Sequence, residues 1–359
     1  MKKIKSVRSF PASRFGLEYS LLVLVVILTS RLAGLGQEAA SQSLATDVHL
    51  PKNTVVATIP LGYNPPPTAV VVSPDSRSVY VASIAGNGRA PGIVWVINSA
   101  TNTVTSTITV GEYPSSLAVT PDGSTLYVAN AFDGTVSVIS TATNSVTETL
   151  SVARALYLAA SPDGTKVYVA CSFNHAISII YTATNHVSNN AIQTGEVDEY
   201  LALAPHNKSA YVTNPDNVLA IDLASKLVVG TIPLKPTDDL PVFLSISPDG
   251  KKLFINTRKL VLVVDTSNNK IIRKIVMPLR GGMVGQTAIT PDGKFLYEPF
   301  ADQNAVVMLD TVSNQVVGSL INAYYPEAVA VAGNAAYAYV IGTTEASEGA
   351  LYVVDISPQ

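Results

Sequence analysis

The sequence predicts an all-β fold, a seven-bladed β-propeller of four-stranded antiparallel blades, and three observations carry that prediction. A unit of about forty residues recurs along the chain. Within each copy, four short runs rich in Val, Ile, Leu and Tyr are separated by turn residues, the pattern of consecutive strands. A strand-like stretch that precedes the first copy supplies the one strand the last copy lacks. The composition agrees: 14% of residues are charged and 47% are apolar, enough for a large core.

The unit is clearest at 114–152, which reads PSSLAV, TPDG, STLYVAN, AFDG, TVSVIS, TATN and SVTETLSV. Its first turn recurs at Ser73, Thr120, Ser161, Ala204, Ser247 and Thr290, and in degenerate form at Val331, with spacings of 47, 41, 43, 43, 43 and 41. Seven copies at this period point to a closed ring rather than an open stack. In the turn, Pro presets φ, Asp accepts turn amides and Gly takes the left-handed conformation that closes a short hairpin. The second strand then carries an aromatic residue: Tyr80, Tyr127, Tyr168, Tyr211, Phe254, Tyr297, and Tyr337 or Tyr339. A second polar turn follows the third strand and ends at Asn102, Asn144, Asn185, Lys226, Asn269 and Asn314. Both recurrent signals read as structural.

The strings LYVAN at 126–130, VYVAC at 167–171 and AYVTN at 210–214, each after a turn and before a polar turn, resemble the YVTN-type β-propeller repeats of surface-layer-like and cytochrome-d1-domain-like proteins. The similarity covers about residues 53–359. It implies the fold and an extracytoplasmic binding or scaffold role, while neighbouring propeller families are lactonases, lyases or haem carriers.

The ends of the repeat array test the count. The last unit has three strands and stops at Gln359, whereas NTVVATIPL at 53–61 matches the fourth strands TVTSTITV at 103–110 and LVVGTIPL at 227–234. That N-terminal strand is expected to close the seventh blade and remove two open sheet edges.

Residues 1–36 differ from the rest. A basic leader with Lys2, Lys3, Lys5, Arg8 and Arg14 precedes an apolar run, and only twelve uncharged residues lie between Glu18 and Arg31. A spanning helix needs about 20, so a signal peptide is expected, with Gly34 and Gly36 forming a small-residue cleavage site before Gln37. An uncleaved segment would be a membrane anchor. Residues 37–52 read as a linker. The localisation expected is therefore periplasmic, secreted or cell-surface. Without residues 1–36 the chain holds 17 Lys and Arg against 25 Asp and Glu, a net charge of about −8, which disfavours nucleic acid as a partner. The single cysteine, Cys171, cannot form an internal disulfide. A monomer is expected.

In an up-and-down blade, the turns between strands one and two and between three and four share one face of the disc. The loops between strands two and three and the crossings between blades share the other. The repeating turns thus lie on one face, and sequence variety falls on the opposite one. That variable face is acidic and carries aromatics, among them Tyr63, Tyr113, Phe132, Tyr157, Phe173, Tyr324 and Tyr325. Loops that converge with acids and aromatics suit binding of a protein or of a small polar or cationic ligand. The residues expected at the central mouth are Arg154, Glu196, Asp198, Asp238, Arg280, Tyr325 and Glu327.

Catalytic constellations are poorly represented. Four histidines are present, and His49, His175, His186 and His206 fall too far apart in the repeat to converge. The absence of C-x-x-C-H excludes covalent c-type haem. Glu196, Asp198, Glu199, Asp238 and Asp239 could supply oxygen ligands to Ca²⁺, but no spaced loop motif supports this, and no metal or cofactor is assigned. The expected role is a non-catalytic binding or scaffold protein. The alternative is a lactonase-like or lyase-like enzyme with an acid or base at the same mouth, where Arg154, Glu196 and Arg280 would be members.

Overall fold

A computed structural model describes residues 50–62, 67–85, 89–171, 174–195, 200–279, 285–321 and 323–359. The expected leader, and the linker up to residue 49, lie outside them. His49–Gln359 forms one compact unit. It contains seven four-stranded antiparallel sheets, each formed by strands consecutive in sequence except the last.

Blades 1 to 7 begin at the axis with inner strands Pro67–Val72, Pro114–Val119, Ala155–Ala160, Leu201–Leu203, Pro241–Ile246, Ala288–Ile289 and Tyr324–Val331. Blade 7 continues with Tyr337–Thr343 and Gly349–Asp355, and its outer strand is Thr54–Pro60 from the other end of the chain. The pairing Thr54↔Asp355 through Pro60↔Ala350 is the closure expected from the sequence. Pro51 adds a bridge to Pro358, so the end of the expected linker is part of the seam.

The sequence of the second strand explains how blades stack. In STLYVAN, Leu126 and Val128 pack against blade 1, while Tyr127 and Ala129 face blade 3. The second and third strands of a blade are apolar on both faces because neighbouring blades cover both sides of the sheet there, whereas outer strands such as Ser145–Ser151 are largely exposed. Seven hydrophobic clusters result, one for each interface between neighbouring blades, including that between blades 7 and 1. The ring therefore closes through side-chain packing as well as through the shared blade.

The repeating turns are built as their residues suggest. Ser161 donates its hydroxyl to Asp163 at 2.6 Å, Asp163 accepts the Thr165 amide at 2.9 Å, and the Ser161 hydroxyl accepts the Lys166 amide at 3.0 Å. The same contacts recur at Ser73, Thr120, Ser247 and Thr290. The hydrogen bond from Ser161 and the Thr165 amide hold the Asp163 carboxyl down at about 2.

The two recurrent signals also meet each other. Tyr127 of blade 2 donates to Asn185 of blade 3 at 2.9 Å, Tyr211 of blade 4 to Asn269 of blade 5 at 3.1 Å, and Tyr297 of blade 6 to Asn53 at 2.8 Å. Asn53 has φ 52°, and Asn102, Asn144, Asn185, Asn269 and Asn314 have φ between 49° and 58°. It is thus the turn asparagine of blade 7, carried by the opposite end of the chain.

Candidate functional site

The site begins with a backbone irregularity repeated around the axis. Inner strands start at Pro67, Pro114, Ala155 and Pro241 in blades 1, 2, 3 and 5, and each ladder shifts register over the next two residues. Blade 7 shifts between Tyr324 and Ala328. Such a bulge re-aims the extra side chain away from the ladder. Aligned on Pro67, Pro114, Ala155, Pro241 and Pro326, the residues that follow are Thr68, Ser115, Leu156, Val242 and Glu327, each within its register shift.

All but Val242 line one axial cavity of about 260 Å³ on the variable face, to which every blade contributes. Tyr113, Tyr157, Tyr200 and Phe243 form its aromatic wall, and Gly285, Gln286 and Ala301 complete it. Tyr157, Tyr200 and Phe243 are in mutual contact, with ring centroids 5.0 to 5.6 Å apart. Tyr113 stacks on Phe132 at 4.4 Å, and the Arg89 guanidinium covers the Phe132 ring at 4.9 Å.

The polar groups are anchored to main chain. Thr68 donates to the Pro114 carbonyl at 2.6 Å and Ser115 to the Leu156 carbonyl at 2.7 Å, each linking one inner strand to the next. The Gln286 amide donates to the Glu327 carbonyl at 3.1 Å, and its own carbonyl accepts from Val329 at 2.9 Å. Its side chain reaches the Val70 carbonyl at 3.4 Å, from blade 6 past blade 7 to blade 1. A Cβ at Gly285 would stand 1.6 Å from the Glu327 carbonyl oxygen, so only glycine permits this approach.

Glu327 is the one acidic side chain among the described lining residues, which include no Lys, Arg or His. It is half-buried, and desolvation pushes its carboxyl up to about 7. Burial likewise raises the Tyr157 hydroxyl far above the ordinary phenol range, so it stays neutral.

The other residues expected at the mouth fare differently. Tyr325 is half-buried beside Glu327, and desolvation, Asp302 and Glu327 raise its hydroxyl. Its amide donates to Asn304 at 2.8 Å. Arg154 is exposed at the entry to the inner strand of blade 3 and does not line the cavity. Asp238 lies away from the axis. It is 2% exposed and paired with Lys274 on Lys270–Val276, the outermost strand of blade 5, beside an open depression of about 320 Å³. Burial alone would raise its carboxyl, but Lys274 and the Lys235 amide hold it low. The one acid of that depression is neutralised by a fixed partner, so the axial cavity is the better candidate site. Glu196, Asp198 and Arg280 lie outside the described residues.

Tyr113, Arg154 and Tyr325 share one more property. Each is a non-glycine residue with φ between 45° and 60°, Tyr113 and Arg154 just before an inner strand and Tyr325 as the second residue of one. Backbone strain of this kind collects at functional sites.

Of the residues expected at the mouth, Glu327 lines this cavity, as do Tyr113 and Tyr157 from the variable face, while Thr68, Ser115, Phe243 and Gln286, which the sequence did not single out, line it too. Phe243 and Thr68 read as ordinary strand residues. The available signal was the proline at or near the start of the inner strand, since aligning Pro67, Pro114 and Pro326 brings Glu327 into column with Thr68 and Ser115. Among the described residues, no group of three or more His, Cys, Asp or Glu could hold a metal ion. Cys171 ends the strand Lys166–Cys171 and is fully buried, its thiol meeting the Ser178 hydroxyl at 3.3 Å.

Comparison with known proteins agrees with this architecture. Residues 66–232 match the family model described as YNCE-like beta-propeller. Among curated proteins, no sequence matches the chain. Among solved structures, Kuenenia stuttgartiensis hydrazine synthase matches with a TM-score of 0.72 and 20% identity over 89% of this chain and 100% of that chain. The Myceliophteria thermophila Cps50 (Swd1) beta-propeller domain matches with a TM-score of 0.71 and 10% identity over 85% of this chain and 100% of that one. At these identities the likeness is one of fold. The chain is a seven-bladed β-propeller, and over residues 66–232 it matches the YNCE-like beta-propellers.

Proposed function

We propose that the protein is an exported binding propeller whose axial cup takes a small ligand, or a side chain inserted by a partner protein, without turnover. The observation that carries this reading is the set of strand bulges in blades 1, 2, 3 and 7, which turn Thr68, Ser115, Leu156 and Glu327 toward a single recess walled by aromatic rings. The basic leader and apolar run at the N-terminus support export.

A second reading is favoured by one group. Glu327, at about 7, could carry a proton near neutral pH, as a lactonase-like or lyase-like site would need. It ranks second because the described lining holds no His, Lys or Arg to act with it.

The two are separated by titrating a set of polar metabolites against the full chain, monitored by thermal shift and ligand-observed NMR. Ser115→Trp, which fills the cup, serves as the blocked control. Ligands that bind the native protein, fail to bind Ser115→Trp and remain unchanged after prolonged incubation support the binding reading. Lactone turnover that disappears in Glu327→Gln supports the second. Ligands that bind both proteins equally would show that the cup is not the site.

A further inference from the structure

We infer that the axial cup recognises a quaternary ammonium group, an organic cation with methylated nitrogen, held by the aromatic wall and the Glu327 carboxylate. This rests on the cup being the binding site and names the chemical class it takes.

The aromatic rings set the class. Tyr157, Tyr200 and Phe243 meet edge to face or tilted at 5.0 to 5.6 Å and line one side of the recess, with Tyr113 also in the wall. Aromatic rings and one carboxylate together attract a cation whose own hydration is weak. The molecule already places a cation on a ring at this face, where Arg89 covers Phe132 at 4.9 Å.

The hydrogen-bonding groups narrow it further. Thr68 and Ser115 donate their protons to main-chain carbonyls, and the Gln286 side-chain amide also donates to one. Apart from the phenols, these groups offer little donor capacity to an anion. A primary ammonium would give up a tight hydration shell to enter a recess walled by aromatic rings. A quaternary ammonium has no N–H to satisfy, so apolar and aromatic walls suffice. The volume of about 260 Å³ admits a headgroup rather than a drug-sized molecule.

The test uses choline and its neutral isostere 3,3-dimethyl-1-butanol, titrated into the full chain by calorimetry. Choline is expected to bind at least about tenfold more tightly than the isostere, and Glu327→Gln to remove most of that difference. Tyr200→Leu is expected to weaken choline by about tenfold, whereas Tyr200→Phe retains it. Phosphatidylcholine vesicles, compared with phosphatidylglycerol vesicles and competed with free choline, distinguish a lipid headgroup from a free ligand; either source supports the inference. Equal affinity for choline and the isostere in the native protein overturns it, with no variant required, and leaves the cup as an apolar binding site. If choline and tetramethylammonium both fail to bind while Ser115→Trp still blocks the metabolite ligands, the cation class is wrong and the cup stands. If Ser115→Trp blocks nothing, the cup itself is wrong.

Discussion

Single residues decide where this propeller departs from its own repeat. Glu298 occupies the position held by Val81, Val128, Val169, Val212, Ile255 and Val340 in the other blades, fully buried against blade 5. Desolvation pushes it up to about 8, only partly offset by Asn256 across the interface. Neither carboxyl oxygen has a hydrogen-bond partner of good geometry. Its folded value stands above the ordinary 4.5, so folding is unpenalised below about 4.5 and loses stability as pH rises through about 8. Glu298→Val is therefore expected to stabilise the fold at pH 9 by an amount on the order of 5 kcal/mol, and far less at pH 5, read from denaturant midpoints at the two pH values. A smaller effect belongs to Tyr297, whose hydroxyl meets Asn53 across the interface between blades 6 and 7. Tyr297→Phe and Asn53→Ala should each cost about 1 kcal/mol, and the double variant should cost less than their sum. At the cup, Gly285→Ala would force the crossing away from Glu327. A loss of about 3 kcal/mol and of ligand binding is expected, measured by chemical unfolding and calorimetry.

At the scale of elements, the strand Thr54–Pro60 and the bulged inner strands do separate work. The first holds the ring shut. It pairs with Gly349–Asp355 along its whole length, and Ile59 and Leu61 enter the core cluster between blades 7 and 1. Deleting residues 50–61 would expose the edge of Gly349–Asp355 and open that cluster. Soluble expression should fall and the remaining protein should oligomerise, as light scattering would show; an unchanged monomer with an unchanged melting temperature would falsify the closure. The inner strands instead position the site. A regular ladder would turn Thr68, Ser115 and Glu327 along the blade surface, and the bulge turns them to the axis.

For the molecule as a whole, the pH dependence of stability follows from two opposed sets of groups. Asp75, Asp122, Asp163 and Asp249 are held below their ordinary 3.8, chiefly by the hydroxyls of Ser73, Thr120, Ser161 and Ser247. Their contribution is present above about 3.8 and is lost as pH falls below that value through each folded one. Glu298 and Glu327 are raised to about 8 and about 7, and their contribution is lost as pH rises through those values. The melting temperature should therefore peak between about pH 4 and 6 and fall on both sides, which a calorimetric pH series checks. Glu298→Val should flatten the alkaline side while leaving the acid side in place.

The repeat made the fold legible before any coordinates. Turn chemistry at Ser73, Thr120, Ser161, Ser247 and Thr290 is local, and so is the strand pattern between turns, so the number of blades, the face of each loop and the blade shared by both ends could be read from sequence. The candidate site was only half legible. Glu327 and the aromatics Tyr113 and Tyr157 could be assigned to a face, because the face follows from position in the repeat. Depth could not. Asp238 and Glu327 both sit in crossings, yet a lysine on an outer strand draws one to the rim and a bulge sends the other to the axis. By itself the sequence determined the ring, since closure depends on periods and turns that neighbouring residues set. The tertiary structure alone decided which loop residues meet, because that depends on contacts between blades some forty residues or more apart in the chain.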